Sequence, residues 1–439
     1  MTAAAKAGDI GRTVEAVWRM ESARITGALT RMLRDVGVAE ELAQDAMLQA
    51  LESWPRLFPD TGVPDRPGAW LMQVAKHRAL DHLRHASMHA NKEGELSWEM
   101  DEQLRDQSGQ RRPDELAELA QLAEGGIDDD VLRLMFVACH PVLSNEARAA
   151  LTLKLVGGLA TPEIARAFLV PEATVAQRIV RAKRTLAEAK VPFEVPRGEE
   201  RKPRLASVLQ VIYLIYNEGY SASAGADWLR PGLCREALRL GRVLAELAPE
   251  EGEVHGLVAL MEIQSSRERA RTGPNGEPVL LLDQDRSRWD QLLIRRGLAA
   301  LDRAAGCGSL GPYALQAAIA ACHARALHPG ATDWARIAAL YDALSQLKPS
   351  PIVELNRAVA LGMAYGPAEG LALVDQLLDL PVLRNYHLLP SVRGDLLARL
   401  GRHAEARAEF ERAAGLTQNE RERTLLLARA HEQKALTHG

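Results

Sequence analysis

The chain has 439 residues, of which 47% are apolar and 26% charged, and its formal net charge is −4. This length suits roughly two to four domains, and the mix is typical of a globular protein in water. Because the chain as a whole is not basic, any binding to nucleic acid must depend on local faces. Aromatic residues make up only 4%, and the abundant alanine and leucine favour an all-α fold.

Cysteine usage and hydropathy exclude several classes of protein. The four cysteines stand far apart with no CxxC pair, which fits neither a disulfide framework nor a zinc site. They are Cys139, Cys234, Cys307 and Cys322. No apolar run approaches the roughly 18 residues of a membrane span, and the first residues lack the apolar core of a signal peptide. We expect a cytoplasmic protein with no membrane contact, metal or cofactor.

Charge is distributed unevenly along the chain. Residues 91–126 hold 4 Lys/Arg against 10 Asp/Glu, whereas residues 127–204 hold 13 against 10. The first of these stretches is also rich in Gly, Gln and Ser, and it predicts a partly flexible acidic linker. The segment RGEERKPR, at 197–204, predicts a short charged hinge. The expected domains therefore cover 10–90, 127–192 and 205–437.

The N-terminal part predicts three amphipathic helices. The first, at 12–35, has an apolar face made of Val14, Val17, Trp18, Ile25, Leu29 and Leu33. The second spans 38–54 and is expected to end at Pro55. The third, at 69–85, sets Trp70 beside basic side chains, which suits tracking along single-stranded DNA. A tryptophan on an apolar helix face also packs in a core, and this alternative stays open.

Residues 159–190 predict a helix-turn-helix. Thr161 is the expected N-cap, and the turn at 169–171 is short enough to force a sharp corner between two helices. The second helix has an expected buried stripe at Val175, Ile179, Ala182 and Leu186. Its other side carries polar groups that can reach phosphates or guanine edges in a major groove. These are Thr174, Gln177, Arg178, Arg181 and Arg184. A solvated basic face is the alternative.

The order and spacing of these segments resemble extracytoplasmic-function sigma factors of bacterial RNA polymerase. The resemblance covers about residues 10–190 and is carried by AEELAQDAMLQALESW, WLMQVAKHRALDHLR and the helix-turn-helix. It implies that 10–90 is a region-two helical bundle for core polymerase and the −10 element, and that 127–192 is region four for the −35 element. The implied partners are promoter DNA and core polymerase, through its β′ clamp helices and β flap.

The same resemblance assigns two sets of residues. The face that docks on the clamp helices maps to Glu41, Gln44, Asp45 and Gln49. The −10 contacts map to Trp70, Lys76, His77, Arg78 and Arg84. Many family members have Asn in place of His77 and aromatic residues in place of Met72 and Pro67. These departures bear on which −10 sequence is recognised and not on the assignment as a sigma factor.

The C-terminal part is similar to an extension found in one subgroup of this family, a tetratricopeptide-like helical domain. LQVIYLIYNEGY and LLLDQDRSRWD carry the similarity. Small and large residues match one repeat of about 34 residues at Gly394, Leu397, Gly401, Ala406, Phe410 and Ala413, and a weaker match lies at Ala358, Leu361 and Gly370. We expect an α-solenoid at 209–437 that regulates the sigma regions in cis and offers a surface to a protein partner.

The motif YNEGY allows a second interpretation. Tyr216, Glu218 and Tyr220 could bind a ligand or move a proton. The structural alternative is a helix C-terminus with Gly219 as a left-handed cap and the tyrosines packed between helices.

No other catalytic or metal-binding pattern appears. The pairs Cys139–His140 and Cys322–His323 lie on different domains and predict no shared metal site. The chain also lacks a P-loop and a GxSxG motif, so we expect a protein that is not an enzyme. Two alternatives remain for the whole chain: a dimeric helix-turn-helix repressor, and a tetratricopeptide scaffold with a DNA-binding N-terminal part.

Overall fold

The structure is a computed structural model, and it describes residues 3–58, 61–98, 127–168, 170–221, 229–274, 276–308 and 310–437. These ranges contain eighteen α-helices and a few short 3₁₀ turns, and no β-strand. The prediction of an all-α fold is confirmed. The chain divides into two compact units, Met1–Val211 and Ile212–Gly439, which we call unit 1 and unit 2.

Unit 1 contains seven complete helices and the beginning of an eighth. They are α1 (Ala3–Leu33), α2 (Val36–Leu57), α3 (Pro67–Trp98), α4 (Ile127–Ala138), α5 (Asn145–Leu155), α6 (Thr161–Phe168), α7 (Glu172–Glu188) and α8 (Arg201–Tyr220). The boundary between the units falls inside α8. The expected hinge at 197–204 is instead a 3₁₀ turn followed by the first turn of α8, so the expected domain start at 205 lies within a helix.

Helices α1, α2 and α3 surround one core. Its largest side chains include Trp54, Ile25 and Leu71, each with no exposed surface. Helix α2 contributes a fully buried row of alanines spaced four, three and four residues apart, which lets its neighbours approach closely. These are Ala39, Ala43, Ala46 and Ala50.

Three expected boundaries in this bundle were wrong, and the first is the start of α1, which lies at Ala3 and not at residue 12. Pro55 does not end α2, because in the last turn the missing N–H removes a single helical bond, and the helix continues to Leu57. Helix α3 begins at Pro67 and continues to Trp98, so residues 91–98 of the expected linker are helical. Residues 99–126, the rest of that linker, lie outside the described residues.

Helices α4 to α7 form the second half of unit 1. The expected stripe of α7 is confirmed, since Val175, Ile179, Ala182 and Leu186 are all buried. The expected N-cap was wrong by one residue, because Thr161 is already helical. The Glu163 Oε2 atom accepts from the N–H of Ala160 at 2.8 Å, and the C=O of Ala160 accepts the first helical bond, from Ile164.

After α8, unit 2 continues with a series of helices. They are α9 (Pro231–Leu247), α10 (Gly252–Ser265), α11 (Gln291–Gly306), α12 (Pro312–Arg325), α13 (Trp334–Leu347), α14 (Pro351–Ala364), α15 (Pro367–Gln376), α16 (Leu388–Arg399), α17 (His403–Leu416) and α18 (Glu420–Thr437). Most of the connections between them are short, although α10 and α11 are joined by residues 266–290. Consecutive helices from α12 onward pack against one another. None of the helices in the described ranges combines the length and the apolar character required to cross a bilayer.

Two of the small residues predicted in this unit, Gly394 and Gly370, lie where helices cross, whereas Gly401 lies in a turn with a φ of 76°. A Cβ atom at Gly394 would meet the ring of Phe410 at 2.9 Å, and one at Gly370 would meet the C=O of Ala358 at 2.6 Å. The interpretation of Gly219 as a left-handed cap was wrong, because α8 continues through it to Tyr220 and its φ is not positive. Gly219 is needed for space, since a Cβ there would lie 2.6 Å from the backbone nitrogen of Cys234.

Candidate nucleic-acid and protein interface

Helix α7 presents a polar face on the side opposite its buried stripe. Gln177, Arg181 and Arg184 are exposed, and Thr174 and Arg178 are half-buried. The five predicted side chains therefore share one accessible surface of α7, and the buried stripe on the opposite side packs the helix against the rest of unit 1. A helix of this length with an exposed guanidinium row has the form needed to enter a major groove.

Two arginines of this face lie near acidic groups. The Arg184 Nε atom lies 2.6 Å from Oε1 of Glu188, one helical turn later, and this hydrogen bond raises the pKa of the arginine. Arg178 lies near Glu146, whose pKa is lowered mainly by its own backbone N–H and by Ser144, with a smaller effect from Arg178. Guanidinium groups of this kind are suited to contacts with phosphates or bases.

Helix α3 carries the predicted −10 set on more than one side. Trp70 is half-buried and makes an edge contact with the ring of Trp54, with ring centres 5.5 Å apart and planes at 74°. His77 is exposed and Lys76 is half-buried. Arg84 is exposed and lies 3.0 Å from Asp81. Trp70 thus has a packing role, and it retains an accessible part.

Arg78 joins two of the predicted sets. Its Nη1 atom donates to Oδ2 of Asp45 at 3.0 Å, and its Nη2 atom donates to Oε1 of Gln49 at 3.1 Å. Both acceptors belong to the predicted docking face of α2, whereas Arg78 was expected at the −10 element. The guanidinium group therefore links α3 to α2.

The remaining docking residues, Glu41 and Gln44, lie on the same face of α2, one turn towards its N-terminus. Glu41 is exposed, and Gln44 donates to the carboxylate of Glu40. Beside this face is a cleft of about 560 Å³, lined in part by Met47 and Leu51. Leu48, at 57% exposure, adds an apolar side chain to the polar face. Mixed apolar and polar surface of this kind is typical of protein interfaces.

Sequence reasoning missed the charged contacts that join the two halves of unit 1. Glu40, only 7% exposed, forms ion pairs with Lys183 of α7 and with Lys154 of α5. Asp130 has no exposed surface and lies 2.7 Å from Arg133 and 3.4 Å from Arg31. A charged residue within a predicted helix is assigned to the solvent-exposed surface unless its partner is known. The sequence alone therefore does not predict these ion pairs.

Tyr216 of the YNEGY motif packs between helices and is not accessible to a substrate. Tyr216 has no exposed surface, and its hydroxyl donates to the C=O of Met261 at 3.2 Å and lies 3.0 Å from Oγ of Ser265. Burial raises its pKa well above the ordinary value, so it stays protonated at neutral pH. Among the described residues no group of three His, Cys, Asp or Glu side chains could hold a metal ion.

Comparison with known families matches three parts of the chain. Sigma-70 region 2 matches residues 18–88, and sigma-70 region 4 matches residues 133–186. A family of unknown function, DUF6596, matches residues 204–305. The first match lies within α1–α3, and the second lies within α4–α7.

Curated relatives support the same division. An uncharacterized protein of Rhizobium meliloti is 45% identical over 90% of this chain and 89% of its own length. A probable ECF RNA polymerase sigma factor, SigI of Mycobacterium tuberculosis, is 26% identical over 43% of this chain and 59% of its own length. The ECF RNA polymerase sigma factor SigK of a Mycobacterium species is 39% identical over 16% of this chain and 34% of its own length. The chain therefore belongs to the family of the Rhizobium meliloti protein, and its first unit carries the region 2 and region 4 domains of a sigma factor.

Proposed function

We propose that this protein is an extracytoplasmic-function sigma factor that binds core RNA polymerase in the cytoplasm and directs it to promoters with −35 and −10 elements. One observation supports it above the others. Helix α7 presents an exposed guanidinium row over a buried stripe, in the same unit as the α2–α3 pair with its polar face. A sigma factor needs both surfaces, one for the DNA duplex and one for the polymerase.

The −35 element is assigned to α7. Arg178 lies nearer the N-terminus of the helix, which enters the groove first, and Arg184 lies a turn and a half further along. We assign Arg178 to base edges and Arg184 to a backbone phosphate. Thr174, Gln177 and Arg181 lie on the same face and complete the contact surface.

The −10 element is assigned to the exposed side of α3. His77 and Arg84 are exposed, Lys76 is half-buried, and the accessible part of Trp70 offers a ring for an unstacked base. Arg78 belongs to this set only if it exchanges Asp45 and Gln49 for DNA. In the described arrangement it positions the docking face instead.

Polymerase docking is assigned to α2. Glu41, Gln44, Asp45 and Gln49 provide the polar contacts to the β′ clamp helices, and Leu48 provides an apolar one. Region four, α4–α7, is assigned to the β flap. The polymerase supplies the chemistry of RNA synthesis, and this chain acts through binding energy alone, without a cofactor or metal.

Unit 2 is assigned a regulatory role in cis, as a tetratricopeptide-like domain with a protein partner. Its chain of packed helices and its small residues at helix crossings support a repeat architecture. Truncation after Val211 tests the role, because it keeps the contacts that fasten α8 to α4, such as the one from Arg204 Nη2 to the C=O of Phe136 at 3.0 Å. We expect altered promoter-dependent transcription and an intact fold of unit 1. Unchanged transcription would contradict the regulatory role.

Co-purification with core polymerase tests the proposed function against its alternatives. A sigma factor binds core polymerase as a single copy of the chain, at a ratio of one to one. A dimeric helix-turn-helix repressor would bind duplex DNA without core polymerase, and a tetratricopeptide scaffold would bind neither in a promoter-dependent way. Failure to form a complex with core polymerase would overturn the proposal.

A further inference from the structure

A cluster of arginine and aromatic side chains in unit 2 has no part in the proposed function. It consists of Tyr220, Arg267, Arg286, Trp289 and His323, and we call it the arginine–tryptophan cluster. The motif YNEGY supplies its tyrosine, and the segment LLLDQDRSRWD supplies one arginine and the tryptophan. Two segments far apart in the sequence thus meet at one place.

Two guanidinium groups lie close to the indole ring. The Cζ atom of Arg286 lies 5.0 Å from the centre of the Trp289 ring, and that of Arg267 lies 5.7 Å from it. Arg267 also donates to the hydroxyl of Tyr220. Arg286 donates to the C=O of His323 at 2.7 Å, so the histidine is held next to the same group.

The positive charge of this cluster is not balanced by carboxylates. Among the described residues, neither Arg267 nor Arg286 forms an ion pair with Asp or Glu. Burial and the like charge of Arg267 lower the pKa of Arg286. Burial and both arginines lower the pKa of His323 to about 4. Two neighbouring cations at a partly desolvated place favour an anion.

The cluster also holds buried nitrogen atoms that have no hydrogen-bond partner among the described residues. Trp289 is 3% exposed and its Nε1–H has no acceptor, and His323 is 8% exposed and its Nδ1 atom has no partner. The Nε atoms of Arg267 and Arg286 are also buried and have no hydrogen-bond partner among the described residues. Buried N–H groups are almost always satisfied in proteins, so the three N–H groups of Trp289, Arg267 and Arg286 at one cationic place call for an acceptor.

We propose that the arginine–tryptophan cluster is a binding site for a small oxyanion that carries a phosphate or carboxylate group. Such a group offers several acceptor oxygens to the unpartnered Nε–H groups of Arg267 and Arg286 and to the Nε1–H of Trp289, and it supplies the missing negative charge. The recessed position of these groups favours a small free anion over a nucleic-acid backbone, which needs protruding cations. Both arginines are half-buried, so each keeps some surface that is accessible to solvent.

Calorimetric titration of the full chain tests this site. Inorganic phosphate and acetate, added separately at matched ionic strength, distinguish a phosphate site from a carboxylate site. We expect saturable binding of one of them, weakened about tenfold or more in Arg267→Gln, which removes one charged donor. Trp289→Phe keeps the ring and loses only the N–H, so it should also weaken binding. Arg239→Gln is the matched control, because Arg239 already has a carboxylate partner in Glu236.

A second measurement, made on the unaltered chain, tests the site even if one of the variants folds poorly. In the unaltered chain, NMR titration of His323 should show a higher pKa when the bound anion is present, because its negative charge favours the protonated ring. The proposal is overturned if neither anion binds at millimolar concentration. It is also overturned if both variants melt like the unaltered chain and bind the anion equally well.

Discussion

Lys183 of α7 and Glu40 of α2 form an ion pair between the helix that carries the predicted −35 contacts and the helix that carries the predicted docking face. The other carboxylate oxygen of Glu40 lies 3.5 Å from Nζ of Lys154 in α5. One nearly buried acid thus holds two lysines from the region 4 half of unit 1.

We expect Glu40→Gln to destabilise unit 1 by about 2 kcal/mol, since it leaves two lysines near a buried site without a negative partner. Chemical denaturation followed by circular dichroism measures the change. Glu41→Gln, at the exposed neighbouring position, is the matched control and should shift stability by less than about 0.5 kcal/mol. Equal midpoints for the two variants would show that the ion pairs contribute nothing.

A second prediction concerns polymerase docking. Asp45→Lys should weaken binding to core polymerase with little effect on folding, because Asp45 is only half-buried and its pair with Arg78 is accessible to water. The control, Asp81→Lys on α3, makes the same charge change outside α2. The exchange Asp45→Arg with Arg78→Asp keeps the internal pair, so we expect it to fold normally and still bind poorly. Full affinity in that double variant would count against docking through Asp45.

A third prediction separates base contacts from phosphate contacts on α7. Arg178→Ala should change the preference at particular −35 positions, since an arginine forked onto guanine discriminates by about 1–3 kcal/mol. Arg184→Ala should reduce affinity for all −35 sequences alike and lower its salt dependence. Binding of isolated promoter duplexes, measured at several salt concentrations, gives both quantities. If the two variants behave identically on every −35 sequence, the base and phosphate assignments are wrong.

A fourth prediction concerns pH. The pKa of His323 is about 4 in the folded chain, against an ordinary value of 6.5. Between these values the unfolded chain takes up a proton that the folded chain does not, so stability is lost as pH falls from 6.5 towards 4. The loss from this group amounts to about 3 kcal/mol. In phosphate-free buffer, the free energy of unfolding of His323→Gln should depend less on pH between 6.5 and 4 than that of the unaltered chain. An identical slope in both proteins would mean that His323 does not titrate in this way.

A fifth prediction compares two helical glycines of unit 2. Gly370→Ala should cost about 1–3 kcal/mol, because its Cβ would lie 2.6 Å from the C=O of Ala358, which is backbone and cannot rotate away. Gly415→Ala in α17 meets nothing within 4 Å and should be neutral or stabilising by up to about 1 kcal/mol. The melting temperatures of the two variants, each compared with that of the unaltered chain, test this difference. Similar melting temperatures would mean that the helices move apart easily at Gly370.

Periodicity predicted the parts of the structure that depend on a repeating pattern. The stripe from Val175 to Leu186 follows from the helical repeat alone, and all four of its residues are buried. Pro55 and Gly219 were misjudged because intrinsic preference was the only information, whereas position in the last turn and contact with Cys234 decide their roles. The partners of Arg78 and Glu40 depend on how distant helices pack, which a pattern within one helix does not record.

Run-off transcription with purified core polymerase tests the central claim most directly. Template DNA fragments carrying −35 and −10 elements selected by binding to the reconstituted holoenzyme are compared with fragments in which either element is scrambled. We predict transcripts that start at a fixed point, that require this chain, and that disappear when either element is scrambled. Transcription that is the same with and without the chain would contradict its assignment as a promoter-directing sigma factor.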